Sequence, residues 1–171
     1  GSLPLDRPYD TKRMRLVFRK GALFYAEYNL RLLLLLLFAR FKLVVANDLD
    51  TLLASFVATR LRGEQLVYDS HEFYTEVPEL VERPNVRRVW LGIERWIFPK
   101  LRHIITVNDS IANAYAERYV TRPAVVRNIP MPRELGLLPT REALDLPADR
   151  FILILQGSGI NVQRGGEEAV E

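Results

Sequence analysis

Short runs of aliphatic and β-branched residues return along this chain at intervals that leave room for one helix each time, and few folds accommodate that rhythm. The runs occupy residues 43–46, 65–68, 103–107 and 124–126, the first being Leu43-Val44-Val45-Ala46. They are too short for helices, and unbroken apolarity is what a strand covered on both faces requires. Helical stretches separate them: residues 51–61 after Asp50 as N-cap, 86–101 with Trp90, Ile93, Trp96 and Ile97 at helical spacing, and 110–119 after Asp109 as N-cap. Strand, helix, strand, helix with short connections implies right-handed crossovers. The expected class is therefore α/β, a parallel sheet with helices on both faces.

The rhythm stops at residues 127–150, which hold Pro130, Pro132, Pro139 and Pro147 and read as a linker with one short helical turn. Residues 151–155 then open a new strand, a Gly-rich loop follows at 157–159, and Gly165-Gly166 leads into a helix. The expected division is thus 1–126, a linker at 127–150, and the start of a second α/β unit at 151–171. The Gly1-Ser2 opening and a last helix of barely a turn read as an internal fragment.

Before the first strand, residues 22–41 read as a helix that is apolar nearly all round because other elements bury it. Its longest apolar run, Leu32 to Phe38 between Arg31 and Arg40, is short of the ~20 residues of a membrane span. The rival reading joins it to Lys12, Arg13, Arg15, Arg19 and Lys20 as a surface over residues 12–41 that rests peripherally on anionic membrane. Composition removes other classes. The chain has no cysteine and only His71 and His103, so disulfide scaffolds, thiolate metal sites and cysteine nucleophiles are excluded, and a reducing cytoplasmic setting is expected. A net charge of +3 is too small to point to nucleic acid.

In open parallel sheets the ligand lies beyond the carboxyl ends of the strands, where loops converge and helix N-termini point. The polar residues of this chain gather there: Asn47-Asp48-Leu49-Asp50, Asp69-Ser70-His71-Glu72, Asn108-Asp109-Ser110, Arg127-Asn128 and Gln156-Gly157-Ser158-Gly159. Asp48-Leu49-Asp50 also has the Asp-x-Asp spacing of some divalent-ion sites, but Asp50 is wanted as a cap and no metal is expected. His103 opens a strand on the opposite edge and reads as structural. His71 follows a strand directly, where an imidazole can bind a ligand and titrate near neutrality, with Glu72 beside it. Past the fifth run, Gly157, Ser158, Arg164 and Gly165 combine close backbone approach, free helix N–H groups and a guanidinium, an arrangement that cradles phosphate. The P-loop and Gly-x-Gly-x-x-Gly patterns are both absent.

Asn-Asp-Leu-Asp-Thr-Leu (47–52), Tyr-Asp-Ser-His-Glu (68–72), Ile-Thr-Val-Asn-Asp-Ser-Ile-Ala (105–112), Val-Arg-Asn-Ile-Pro (126–130) and Leu-Gln-Gly-Ser-Gly-Ile-Asn-x-x-Arg-Gly (155–165) together resemble the retaining glycosyltransferases of the GT-B fold, family 4. The resemblance covers residues 43–171. It implies two Rossmann-like domains with a cleft between them, of which this chain carries part of the N-terminal, acceptor-side one and the first strand, loop and helix of the nucleotide-sugar domain. It implies metal-independent, retaining transfer of a sugar from a nucleotide-sugar donor to a glycan or lipid-linked acceptor, as in cell-envelope polysaccharide synthesis, with no other cofactor. His71 matches the family's cleft histidine and is the candidate catalytic residue. Asp48, Ser70, Glu72, Asn108 and Asn128 are candidate substrate contacts, and Gly157, Ser158, Arg164 and Gly165 candidate donor-phosphate contacts. Ser158 stands where many members have Arg, which shifts the expected phosphate charge to Arg164. The paired glutamates of the donor site and the opening strand would lie outside residues 1–171, which makes the fragment inactive by itself. Other readings are an epimerase or phosphorylase of the same fold, acting on nucleotide sugars, and a non-catalytic module that binds membrane or a partner.

Overall fold

The computed structural model describes residues 8–81, 83–130, 136 and 138–154. The chain divides into two compact units, Gly1–Asn128 and Ile129–Glu171. The first unit holds the sheet: β1 (Leu43–Asn47), β2 (Gln65–Ser70), β3 (His103–Thr106) and β4 (Ala124–Val125), all parallel and in the spatial order β1-β2-β3-β4. Each of the four strands expected in residues 1–126 is present, within two residues of its expected ends. The helices are α1 (Gly21–Phe38), α2 (Leu49–Arg62), α3 (Pro78–Val81), α4 (Pro84–Ile97) and α5 (Asp109–Tyr119), with short 3-10 turns at Tyr74–Glu76 and Phe98–Lys100.

Register explains how the sheet presents its two faces. Val44 lies beside Leu66, Ala46 beside Tyr68, Tyr68 beside Ile104, and Ser70 beside Thr106, so these side chains share one face. On that face α2, α4 and α5 supply Leu49, Leu52, Phe56, Trp90, Ile97 and Tyr115 to a core completed by Phe98. The opposite face begins with Leu43 and Val45, which are about half exposed (49% and 51%). Covering on both faces was the expectation from their continuous apolarity. Strands that advance in one direction through right-handed crossovers place their connecting helices on a single side, and no helix of the described residues covers Leu43 and Val45.

Helix ends follow local chemistry. Gly63 stops α2 in the left-handed conformation (φ 70°), its N–H reaching the Thr59 carbonyl, a conformation a Cβ would strain. Asn108, rather than the expected Asp109, caps α5: its side-chain oxygen accepts the Ile111 N–H at 2.9 Å. Asp109 is left for Arg122 and Arg127, which reach its two carboxylate oxygens at 2.6 and 3.2 Å. Asp50 likewise lies inside the first turn of α2, and the cap position belongs to Asp48.

Helix α1 departs most from expectation. By length and composition alone it could cross a membrane, yet Asn29 donates to the Asp50 carbonyl and accepts the Ala54 N–H, fixing α1 to α2. Arg62 donates to the carbonyls of Leu36, Leu37 and Ala39, which the end of a helix leaves without intrahelical partners. Docking is along one side only. No residue of α1 is fully buried, and Phe38 is 85% exposed, so the all-round burial expected from its apolarity is not found.

In the second unit, residues 141–145 form a single hydrogen-bonded turn, and the Arg141 guanidinium donates to the carbonyls of Pro147, Ala148 and Arg150. Residues 151–154, expected as strand, carry no regular structure and have no strand partner among the described residues.

Candidate functional site

Parallel pairing makes all four described strands end at the same rim, and the residues that follow each strand therefore lie along it. Asp48 follows β1, His71 follows β2, Asn108 lies two residues past β3, and Asn128 three residues past β4. His71, Glu72, Asn108 and Asn128 are exposed, and Asp48 is partly buried.

The centre of this rim is the junction of β1 and β2. Their pairing continues one step beyond the ladder, with the Asp48 N–H donating to the Asp69 carbonyl at 2.9 Å. One carboxylate oxygen of Asp48 then accepts the His71 backbone N–H at 3.1 Å. The His71 Nε2 lies 2.8 Å from an Asp69 carboxylate oxygen. Asp69 belongs to the polar cluster expected at this rim but is not among the expected ligand contacts; the signal for its role is period-2 alternation, which puts residues 69 and 71 on one side of an extended segment.

Asp48 holds its place at a conformational cost. Its backbone angles, φ 59° and ψ 170°, lie in a region that essentially only glycine occupies without strain, worth about 1–3 kcal/mol. Two hydrogen bonds at one residue, backbone to Asp69 and side chain to His71, hold it there. Strain of this kind concentrates where a side chain has to be held in one direction.

Electrostatics around His71 are one-sided. The hydrogen bond to Asp69 raises its pKa above the ordinary value, with Asp48 and Glu72 adding to the effect and desolvation opposing it. Burial raises the Asp48 pKa, against the pull of the His71 N–H. Asp50 is raised by burial and by the neighbouring Asp48. With Nε2 engaged by Asp69, Nδ1 of the half-exposed imidazole is the nitrogen left for a ligand: an acceptor when His71 is neutral, a donor when it is charged.

Other expected contacts divide. Ser70 is fully buried, and its hydroxyl is occupied by the Glu72 carbonyl (2.8 Å) and the Tyr115 hydroxyl (2.9 Å), so it faces protein and not the rim. The Asn108 oxygen is occupied as a helix cap, which leaves its amide N–H groups for a ligand. Gly157, Ser158, Arg164 and Gly165 lie outside the described residues. Among the described residues, no group of three or more His, Asp or Glu side chains is placed to hold a metal ion.

The family profile described as Glycosyltransferase Family 4 matches residues 2–134, more than half of the chain. Comparison with curated proteins finds no match.

Two expectations follow from the geometry. Asp48→Gly and Asp48→Ala both remove the carboxylate, but only glycine relieves the backbone, so the glycine variant should be the more stable by about 1–3 kcal/mol in urea unfolding. Equal stability would show that Asp48 is unstrained. For His71, a folded-state pKa above about 6.5 means that pairing with Asp69 stabilises fully below that value and fades as pH rises through the raised value. The stability gap between wild type and Asp69→Asn should therefore be widest in mildly acidic solution and narrow towards alkaline pH, and a gap that widens with pH would contradict the pairing.

Proposed function

The chain belongs to glycosyltransferase family 4, and from that premise we propose that it is the acceptor-side part of a retaining, metal-independent enzyme. The reaction moves a sugar from a nucleotide-sugar donor to a glycan or lipid-linked acceptor. The observation that carries this reading is the rim, where His71 is exposed between Asp48 and Asp69 at the carboxyl ends of parallel strands.

In the proposed step, the bond from the anomeric carbon to the donor phosphate breaks and the acceptor oxygen bonds to that carbon from the same face. The acceptor proton passes to the departing phosphate oxygen. Positive charge builds on the sugar and negative charge on the leaving diphosphate, and fixed donors and cations must meet the latter. Arg164, Gly157, Ser158 and Gly165 are proposed for that role. His71 orients the transferred sugar through Nδ1, its ring held by Asp69, while Glu72, Asn128 and the Asn108 amide line the approach. His71 is no nucleophile in this scheme.

A lipid-linked acceptor gives α1 a second role, as a cytoplasmic membrane-docking face. Leu23, Leu30, Leu34 and Phe38 are exposed along it, and a cavity of about 570 Å³ is lined by Leu34, Leu35 and Phe38 together with Lys12, Arg13, Arg15 and Arg31. Basic side chains beside an apolar floor complement anionic headgroups over acyl chains.

In the whole protein, His71→Ala should lower turnover roughly 10- to 100-fold, as expected for a lost orienting contact, with unfolding close to wild type. Wild-type transfer in that variant would remove His71 from the site, and product analysis with a labelled donor reports whether the anomeric configuration is kept. Sedimentation with phosphatidylglycerol vesicles should bind the protein at low salt and release it at high salt, with phosphatidylcholine vesicles as the neutral control. Binding at neither salt would leave α1 without a membrane role.

A further inference from the structure

The turn that carries His71 is held from behind by a residue 45 positions later in the chain. Ser70 has one hydroxyl proton, and it is donated to the Glu72 carbonyl at 2.8 Å. The 2.9 Å contact between Ser70 Oγ and the Tyr115 hydroxyl is therefore a bond in which Tyr115 donates. Ser70 is tied a third time through its carbonyl, which accepts the Thr106 hydroxyl at 2.8 Å. These bonds curl residues 70–72 into a fixed turn whose next N–H, that of His71, points at Asp48.

Tyr115 itself has little freedom. It is fully buried, its ring stacked on Phe98 with centroids 4.6 Å apart and met edge-on by Phe73 at 4.9 Å. Its hydroxyl is thus presented to Ser70 from a rigid seat on α5. The rest of the loop is gripped from the same helix and from α4. Arg118 donates to the Thr75 hydroxyl and to Glu76 and lies over the Phe73 ring, while Arg87 donates to the Thr75 carbonyl and to Glu76. The contacts from Arg118 and Arg87 begin at residue 73, so the Tyr115–Ser70 bond is the one side-chain tie from a helix to the 70–72 turn among the described residues.

We propose that Tyr115 is a positioning residue: through Ser70, its hydroxyl fixes the 70–72 turn and hence the direction in which His71 faces the rim. The role in transfer rests on the reading of His71 given above, whereas the positional claim is read in the imidazole itself. Tyr115→Phe keeps the stacked ring and removes only the donor. Ser70→Ala breaks the same tie from the other side and serves where the first variant does not fold.

The experiment is an NMR titration of the two imidazoles, with His103 at the start of β3 as internal reference. The charged groups facing His71 are Asp69, Asp48 and Glu72, and a loosened turn should weaken its hold on Asp69 first. His71 should then titrate lower than in wild type in either variant, because the hydrogen bond to Asp69 is what holds it up. The double variant should move it no further than Ser70→Ala alone. Tyr119→Phe, which removes a bond from the same helix to Glu94, should leave it unmoved. In transfer assays of the whole protein, Tyr115→Phe should reduce kcat several-fold with little change in KM, and nothing more when His71 is already Ala. An unmoved His71 in both Tyr115→Phe and Ser70→Ala overturns the proposal. A His71 that moves while His71→Ala transfers normally supports the positional claim and refutes the functional reading instead.

Discussion

The backbone bond from Asp48 N–H to the Asp69 carbonyl carries the pairing of β1 and β2 one residue past the end of the ladder, and the rest of the rim is organised around it. By holding Asp48 in a conformation suited to glycine, that bond turns the aspartate side chain across to the neighbouring strand. There it takes the His71 N–H, so the first residue beyond β2 is fixed by the first residue beyond β1. A free loop at the same position would give the imidazole many directions. Two strands in register, together with one strained residue, give it one.

The arrangement also decides the chemistry available. A single imidazole lies beside Asp69, Asp48 and Glu72, so its charged form is favoured, yet it keeps one nitrogen for a ligand. Burial works the other way on Asp48, whose carboxylate accepts from a backbone N–H and not from a cation. The second buried network, Glu94 with Arg118 and Tyr119, serves the fold behind the loop. Glu94 is fully buried on the face of α4 shared by Trp90 and Ile97, with one oxygen bonded to the Tyr119 hydroxyl at 2.6 Å and to Arg118 at 3.2 Å. Its other oxygen has no hydrogen-bond partner among the described residues.

Much of this was legible in the sequence because period and position are local properties. The four strands follow from runs of three to five apolar residues, and the rim follows from parallel connection alone, which is why Asp48, His71, Asn108 and Asn128 could be placed on one edge without coordinates. What escaped depends on partners distant in the chain. Whether Asn108 or Asp109 caps α5 is decided by Arg122 and Arg127, which draw Asp109 away. Ser70 looked available because it adjoins His71, and only Tyr115, brought over by α5, shows its hydroxyl to be occupied. Glu94 gave no signal, since a carboxylate on an apolar face is distinguished by an arginine and a tyrosine 24 and 25 residues away. The exposure of α1 was hidden for the opposite reason: its composition fits burial, and what its far side meets is not a local property.

The account stands on a single ligand-facing edge. The most direct measurement is an NMR perturbation map of the whole protein with a panel of nucleoside diphosphate sugars and their acceptors, following the His71 imidazole and the amides of Asp48, Asn108 and Asn128 against His103. The account predicts that a saturable ligand moves the His71 imidazole and those amides while His103 stays in place. Saturable shifts confined to His103 and the start of β3, with His71 and Asp48 unmoved, would contradict it.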